Sequence, residues 1–299
     1  MSAPAQYRPL QAVLWMVLTG ISFVGVQATV KHIGPVMPPA ESAFLRYVLG
    51  LTFFLPMAPT LMRTRLSRRA WAMFTLRGAL QAGAVILWFF AMTRITLAEV
   101  TAMNYMSPIY ITLGAALFLG EPLAARRVLA IAVAFCGALI ILRPGLRALE
   151  AGHGAMAVAA LGFAGAYLVA KRMTGEVSPG VVVAMMSLMT TLFLAPFALI
   201  GWVPPTLQQI GWLFLVACFA TTGHYAMTLA FKAAPMAVTQ PVTFLQLVWA
   251  ALVGAAFFEE PLSLWVMLGG GLIMGAVSFI AWREVRLDKG GQMPGGAAP

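Results

Sequence analysis

The chain carries one plan twice. Shifted by 139 positions, Ala91 falls on Ala230, Ala98 on Ala237, Leu113 on Leu252 and Phe118 on Phe257, and Glu121-Pro122-Leu123 falls on Glu260-Pro261-Leu262 without a gap. Shifted by 140, the earlier part aligns as well: Phe23 with Phe163, Gly25 with Gly165, Lys31 with Lys171, Pro39 with Pro179, Phe53 with Phe193 and Pro56 with Pro196. Two apolar stretches share residues by composition alone. The coincidences of Pro, Lys and Glu-Pro-Leu carry the weight, because those residues are scarce here. An internal repeat of this length constrains the fold more than any local pattern.

The solvent is the next constraint. The chain is 61% hydrophobic and 9% charged, more apolar surface than a soluble protein of this size can hide, so the surroundings must be lipid. The net charge of +10 sits in short clusters between apolar runs, which points to membrane orientation and away from nucleic acid. Cys136 and Cys218 both lie inside apolar runs and read as small hydrophobes, not as a disulfide or a metal site. The first run, Pro9 to Val30, is uncharged and too long for a cleaved signal peptide's core, so it reads as a retained helix.

A membrane helix needs about 20 mainly apolar residues. Charges, prolines and glycines then predict ten spans, at about 10–31, 39–61, 70–93, 96–119, 123–142, 154–172, 179–200, 206–231, 235–257 and 262–282. The domain plan is a tail over 1–9, a first five-helix repeat over 10–145, a second over 146–282 and a disordered tail over 283–299. With both termini cytoplasmic, Arg8, Arg63, Arg65, Arg68, Arg69, Arg126, Arg127, Lys171, Arg172, Lys232, Arg283, Arg286 and Lys289 lie inside. Only Lys31, Arg94, Arg143 and Arg147 lie outside, as the positive-inside rule requires. Five spans per half is an odd number, so the halves must be inverted relative to each other. Inverted repeats are a common architecture of secondary transporters, with the substrate site near the midplane between them.

Particular residues sharpen this. Glu41 and Arg46 in the second span, Arg77-Gly78 in the third, the run Asn104-Tyr105-Met106-Ser107-Pro108 and the two Glu-Pro-Leu turns resemble the drug/metabolite transporter superfamily. Within it they are similar to the EamA-type members, and to the branch that exports aromatic and other amino acids. The resemblance covers about residues 10–282. It implies a central cavity between spans 1–4 and 6–9, with spans 5 and 10 peripheral and supporting the fold or a homodimer. It implies a multi-pass protein of the bacterial inner membrane, without cofactor, that works by alternating access on a small molecule.

Polar residues inside a membrane are costly and default to functional hypotheses. Helical spacing groups Arg77, Gln81 and Trp88 on span 3, His224 and Tyr225 with Thr221 and Thr228 on span 8, and Gln246 with Trp249 on span 9. Span 4 offers Asn104, Tyr105 and Ser107, and the repeat pairs Phe23 and Gln27 with Phe163 and Tyr167. Substrate contact is one reading; ties between helices are the other. Arg46 and Arg77 sit deep enough either to meet a carboxylate or to pair within the protein. Glu41 and Arg46, five apart, do not share a face. His224 is the deep titratable candidate for proton coupling, and facilitated diffusion stands beside it. Pro108 and Pro241 are candidate gating bends. The Glu-Pro turns read as helix starts, with Pro at the first helical position and Glu at the positive end.

An enzyme needs a nucleophile with a base, or metal ligands, and the three histidines, His32, His153 and His224, form no such pattern. A channel needs a charged ring or a carbonyl filter, and neither sequence signal is present. The expectation is a carrier for amino acids, chiefly aromatic or apolar ones, with small amphipathic drugs or other metabolites as the alternative.

Overall fold

The computed structural model describes residues 8–57, 59, 63–64, 66–119, 125–143, 149–172, 179–233 and 236–290. All regular structure among them is helical. The α-helices are α1 (Pro9–Ile33), α2 (Pro39–Leu51), α3 (Arg68–Met92), α4 (Leu97–Asn104), α5 (Ser107–Leu119), α6 (Ala125–Leu142), α7 (Ala151–Arg172), α8 (Pro179–Leu199), α9 (Leu207–Ala233), α10 (Met236–Phe258) and α11 (Leu264–Gly290). Among the described residues, five segments are long and apolar enough to cross a membrane: Leu10–Val36, Arg68–Met92, Ala151–Val169, Val181–Leu199 and Leu207–Met227.

Local chemistry sets the ends. Pro9 and Pro39 begin α1 and α2, where a missing N–H is harmless. The Ser67 hydroxyl accepts from the Ala70 N–H at 3.1 Å to cap α3. Thr96 and Glu99 form a full capping box at the start of α4.

Three expectations change. The fourth span is two helices, broken at Tyr105 and Met106, whose N–H groups turn back to Ala102 and Met103. Pro108 has no N–H to return to Asn104, so the ladder stops there. The second span is helical only to Leu51 and then tightens into a 3-10 stretch, Thr52–Met57, that contains Pro56. Its repeat mate Pro196 is instead carried inside α8. The expected disordered tail is helical as far as Gly290; residues 291–299 lie outside the described residues.

The distribution of polarity is that of a protein in lipid. Leu10, Leu14, Leu18 and Ile21 make an exposed apolar stripe on α1, whereas Glu41, Arg46, Arg77 and Glu99 are buried. The main core joins Val26 and Val30 of α1, Val85, Phe89 and Met92 of α3, Val100 and Met103 of α4, Leu194, Val216 and Leu247.

The repeat reappears in the packing. The most extensive helix pairs are α1 with α9 and α3 with α7, followed by α6 with α11. Under the repeat, α1 corresponds to α7 and α3 to α9, so the first two pairs are the same contact made twice. The residues agree. A Cβ built on Gly25 would stand 3.0 Å from the Phe219 ring, and one on Gly165 would stand 3.2 Å from the Leu80 side chain. Phe219 is the 139-shifted mate of Leu80. Likewise a Cβ on Gly162 would meet that of Ala84 at 2.9 Å, and one on Gly223 would meet that of Ser22 at 3.2 Å. Small residues let helix backbones approach closely in lipid, where dispersion must replace the hydrophobic drive. Gly137 and Gly269 join α6 to α11 in the same way, a Cβ on Gly137 falling 2.6 Å from the Gly269 carbonyl oxygen.

Gly25→Val and Gly165→Val should each lower stability by about 1–3 kcal/mol through overpacking, read as a fall in melting temperature in detergent. Gly83 has open space around its missing Cβ and should accept the same change with little effect. Equal melting of all three variants would contradict the close crossings.

Candidate functional site

The crossings of α1 with α9 and of α3 with α7 frame a polar and aromatic cluster completed by α2. Arg77 on α3 is 8% exposed, and its Nε and Nη1 have no hydrogen-bond partner among the described residues. It lies within electrostatic range of Tyr47 on α2 and Tyr167 on α7. One turn further along α3, Gln81 Nε2 donates to the Tyr47 hydroxyl at 3.3 Å. His224 on α9 meets the edge of Phe23 with ring centroids 5.1 Å apart, and Arg46 and Arg77 act on it electrostatically. Trp88 meets Phe163 edge-on at 5.9 Å, and its indole N–H is buried without a partner. Phe23 and Phe163 are repeat mates, so each half supplies one aromatic edge contact. Tyr167 is 48% exposed.

Other predicted site residues tie helices together. Gln27 is buried and its Oε1 accepts from the Thr101 hydroxyl at 3.0 Å, joining α1 to α4. Ser107 donates to the Ala160 carbonyl at 3.2 Å, joining α5 to α7, and reaches Asn104 Oδ1 only at 3.5 Å. Tyr105 is buried and hydrogen-bonds the backbone of Leu247, which anchors the break in the fourth span to α10. Gln246 packs its Cβ against Gly20 of α1. Tyr225 and Trp249 are among the exposed large side chains and are not drawn into the cluster around Arg77. The side chains of Pro108, Pro241 and Thr228 lie outside the described residues.

Tyr47 was not among the sequence candidates. Its signal was available: a single Tyr beside the only arginine of the second span. Glu41 and Arg46 form no ion pair, as their spacing requires; Glu41 Oε2 instead accepts from the Val203 N–H at 3.0 Å.

A second cluster closes one end of the bundle. Lys31 at the end of α1 pairs with Glu260 and donates to the Ile95 carbonyl at 2.8 Å. The other Glu260 oxygen accepts from the Leu97 N–H at 2.9 Å. This corrects the helix-start reading of the Glu-Pro turn. Its own helix begins later, at Leu264, and the glutamate serves the positive end of α4 instead. Glu99 meets His153 at 3.5 Å, and His153 Nδ1 accepts from the Glu150 N–H at 3.1 Å. Lys31, Arg94, Glu99, Arg143, Glu150 and Glu260 line a recess of about 490 Å³. The turn that aims Glu260 depends on Glu259, whose φ of +53° is left-handed. The chain then lets the Glu260 N–H return to the Gly254 carbonyl at 3.1 Å. The Glu121 mate lies outside the described residues.

Comparison with known proteins accounts for this architecture. The model of the EamA-like transporter family matches residues 10–143 and again residues 151–282. The chain belongs to that family, whose members are membrane transporters and not enzymes. A riboflavin transporter of Rhizobium johnstonii is 30% identical, with 94% of each chain covered. The pseudopaline exporter of Pseudomonas aeruginosa is 27% identical over 88% of this chain and 93% of its own. A crystal structure with 18% sequence identity shares the fold at a TM-score of 0.56, covering 94% of this chain and 97% of the other.

Two outcomes follow at the closed end. Removing the Glu260 carboxylate in Glu260→Ala leaves the Leu97 N–H and the Lys31 ammonium without their acceptor, a loss of about 1–3 kcal/mol. It should appear as a lower melting temperature that a paired Lys31→Met change partly restores. Glu259→Gly should hold or raise stability by up to about 1 kcal/mol, because glycine adopts the left-handed conformation without strain. The repeat mate of Glu259 is already a glycine, Gly120. A marked fall in melting temperature for Glu259→Gly would show that the side chain itself matters.

Proposed function

We propose that the protein is a secondary transporter that carries a planar, ring-bearing small metabolite across the bacterial inner membrane by alternating access. Ten spans form two inverted halves, residues 10–145 and 146–282, with both termini cytoplasmic, and the substrate binds between them beside Arg77. The observation that carries this reading is the pair of repeat-related aromatic contacts, Phe23 with His224 and Phe163 with Trp88. Trp88 adds a buried indole N–H, and the same face of α3 carries Arg77, two of whose guanidinium nitrogens have no partner among the described residues. Aromatic walls around a few placed polar groups suit a ring with hydrogen-bonding edges. Two near-equal halves that share their contacts can exchange roles, which turns one access state into the other.

Flavins and aromatic amino acids are the two substrate readings. A flavin is favoured by the similarity to a riboflavin transporter. An aromatic amino acid, moved outward, is favoured by the resemblance to amino-acid exporters and by Arg77, a natural partner for a carboxylate.

Counterflow in proteoliposomes tests the reading. With excess unlabelled compound inside, labelled riboflavin or labelled Trp should accumulate transiently and saturably, which an open pore does not allow. Trp88→Ala should slow the initial rate by roughly tenfold, the effect of losing about 1 kcal/mol of ring contact together with the indole N–H. Transport confined to compounds without a ring would reject the proposal.

A further inference from the structure

We infer that Arg46 and Arg77 form an oxyanion subsite that takes a carboxylate or phosphate group of the transported molecule. The inference deepens the carrier reading above and rests on it for the ring that accompanies the anion. Both arginines are 8% exposed. Arg77 Nε and Nη1 are enclosed without a hydrogen-bond partner among the described residues. The Arg46 guanidinium lies over the Tyr47 ring, its carbon 4.3 Å from the centroid, within cation–π reach. Tyr47, under the Arg46 guanidinium, also holds Gln81, one turn from Arg77 on α3, which brings the two arginines to one locality.

Among the described residues nothing there neutralises them. Helices α1, α3, α7, α8, α9 and α10 contain no Asp or Glu at all. Glu41, the one acid of α2, gives an oxygen to the Val203 N–H and makes no ion pair with either arginine. Two guanidiniums withdrawn from water without a counter-charge are costly, and more so inside a bilayer. A substrate oxyanion would remove that cost, and the guanidinium fork matches carboxylate and phosphate oxygens two at a time. Tyr47 completes the subsite: its hydroxyl oxygen accepts from Gln81 at 3.3 Å, so its own hydrogen is left to donate onward.

The test varies charge on a constant ring. Binding of indole-3-propionate, of its neutral amide and of tryptamine to the purified protein is measured by calorimetry, and melting is followed with inorganic phosphate and with acetate. The wild type should bind the propionate at least roughly tenfold more tightly than the amide and reject the amine, the discrimination expected of a charge-assisted bond. Arg77→Gln should erase that preference, and Arg77→Lys should keep part of it. The wild-type comparison stands even if a variant fails to fold. Ring compounds bound without regard to charge would overturn the subsite and leave the carrier reading standing. Stabilisation by phosphate or acetate that is lost in Arg77→Gln, with no ring compound bound, would keep the subsite and reject the ring. Neither ring binding nor anion stabilisation would overturn both.

Discussion

Gly25 against Phe219 and Gly165 against Leu80 are a single contact made twice, and the arrangement of the remaining helices follows from it. In lipid, no water is released when two apolar helices meet, so association depends on how closely their atoms can approach. Glycine removes the one atom that would hold the backbones apart. Because each contact joins the first half to the second, neither half is a free-standing unit. The site framed by α1, α3, α7 and α9 therefore belongs to both.

Around that frame the polar side chains divide by whether the protein itself satisfies them. Gln27, Ser107 and Tyr105 end on neighbouring helices and hold the broken fourth span in place. A half-satisfied polar network inside a membrane is normally selected against, so the groups left over are informative. The Trp88 indole, two nitrogens of Arg77, one oxygen of Glu41 and the Thr190 hydroxyl remain without partners among the described residues. Trp88 and Arg77 share one face of α3, which packs extensively on α7 of the second half.

The sequence displayed the architecture well because a repeat is a statement about geometry. Gly25 and Gly165 were visible as mates before any contact was known. The site was harder to read. Helical spacing gathered Arg77, Gln81 and Trp88 correctly, since they share a helix. Spacing says nothing about partners on other helices, so Gln27 looked as available as Gln81 until Thr101 was seen beside it. Tyr47 was passed over for the same reason. Its role comes from Gln81, which lies on a different span. The Glu-Pro turn misled because a glutamate before a helix ordinarily serves that helix, whereas the left-handed Glu259 redirects Glu260 to another.

The clasp made by Lys31, Glu260 and the Leu97 N–H has a consequence for tempo. It gathers the end of α1, the start of α4 and the turn after α10 at one face of the bundle. Under the alternating access proposed above, the carrier parts them once in every turnover. Separating a charge pair and a charge-assisted hydrogen bond is an enthalpic event with little to offset it until water arrives. Turnover governed by that step would climb steeply with temperature and depend only weakly on which cargo is aboard. Affinity and speed would then be set at different levels of α1, one near its middle beside Phe23 and the other at its end, at Lys31.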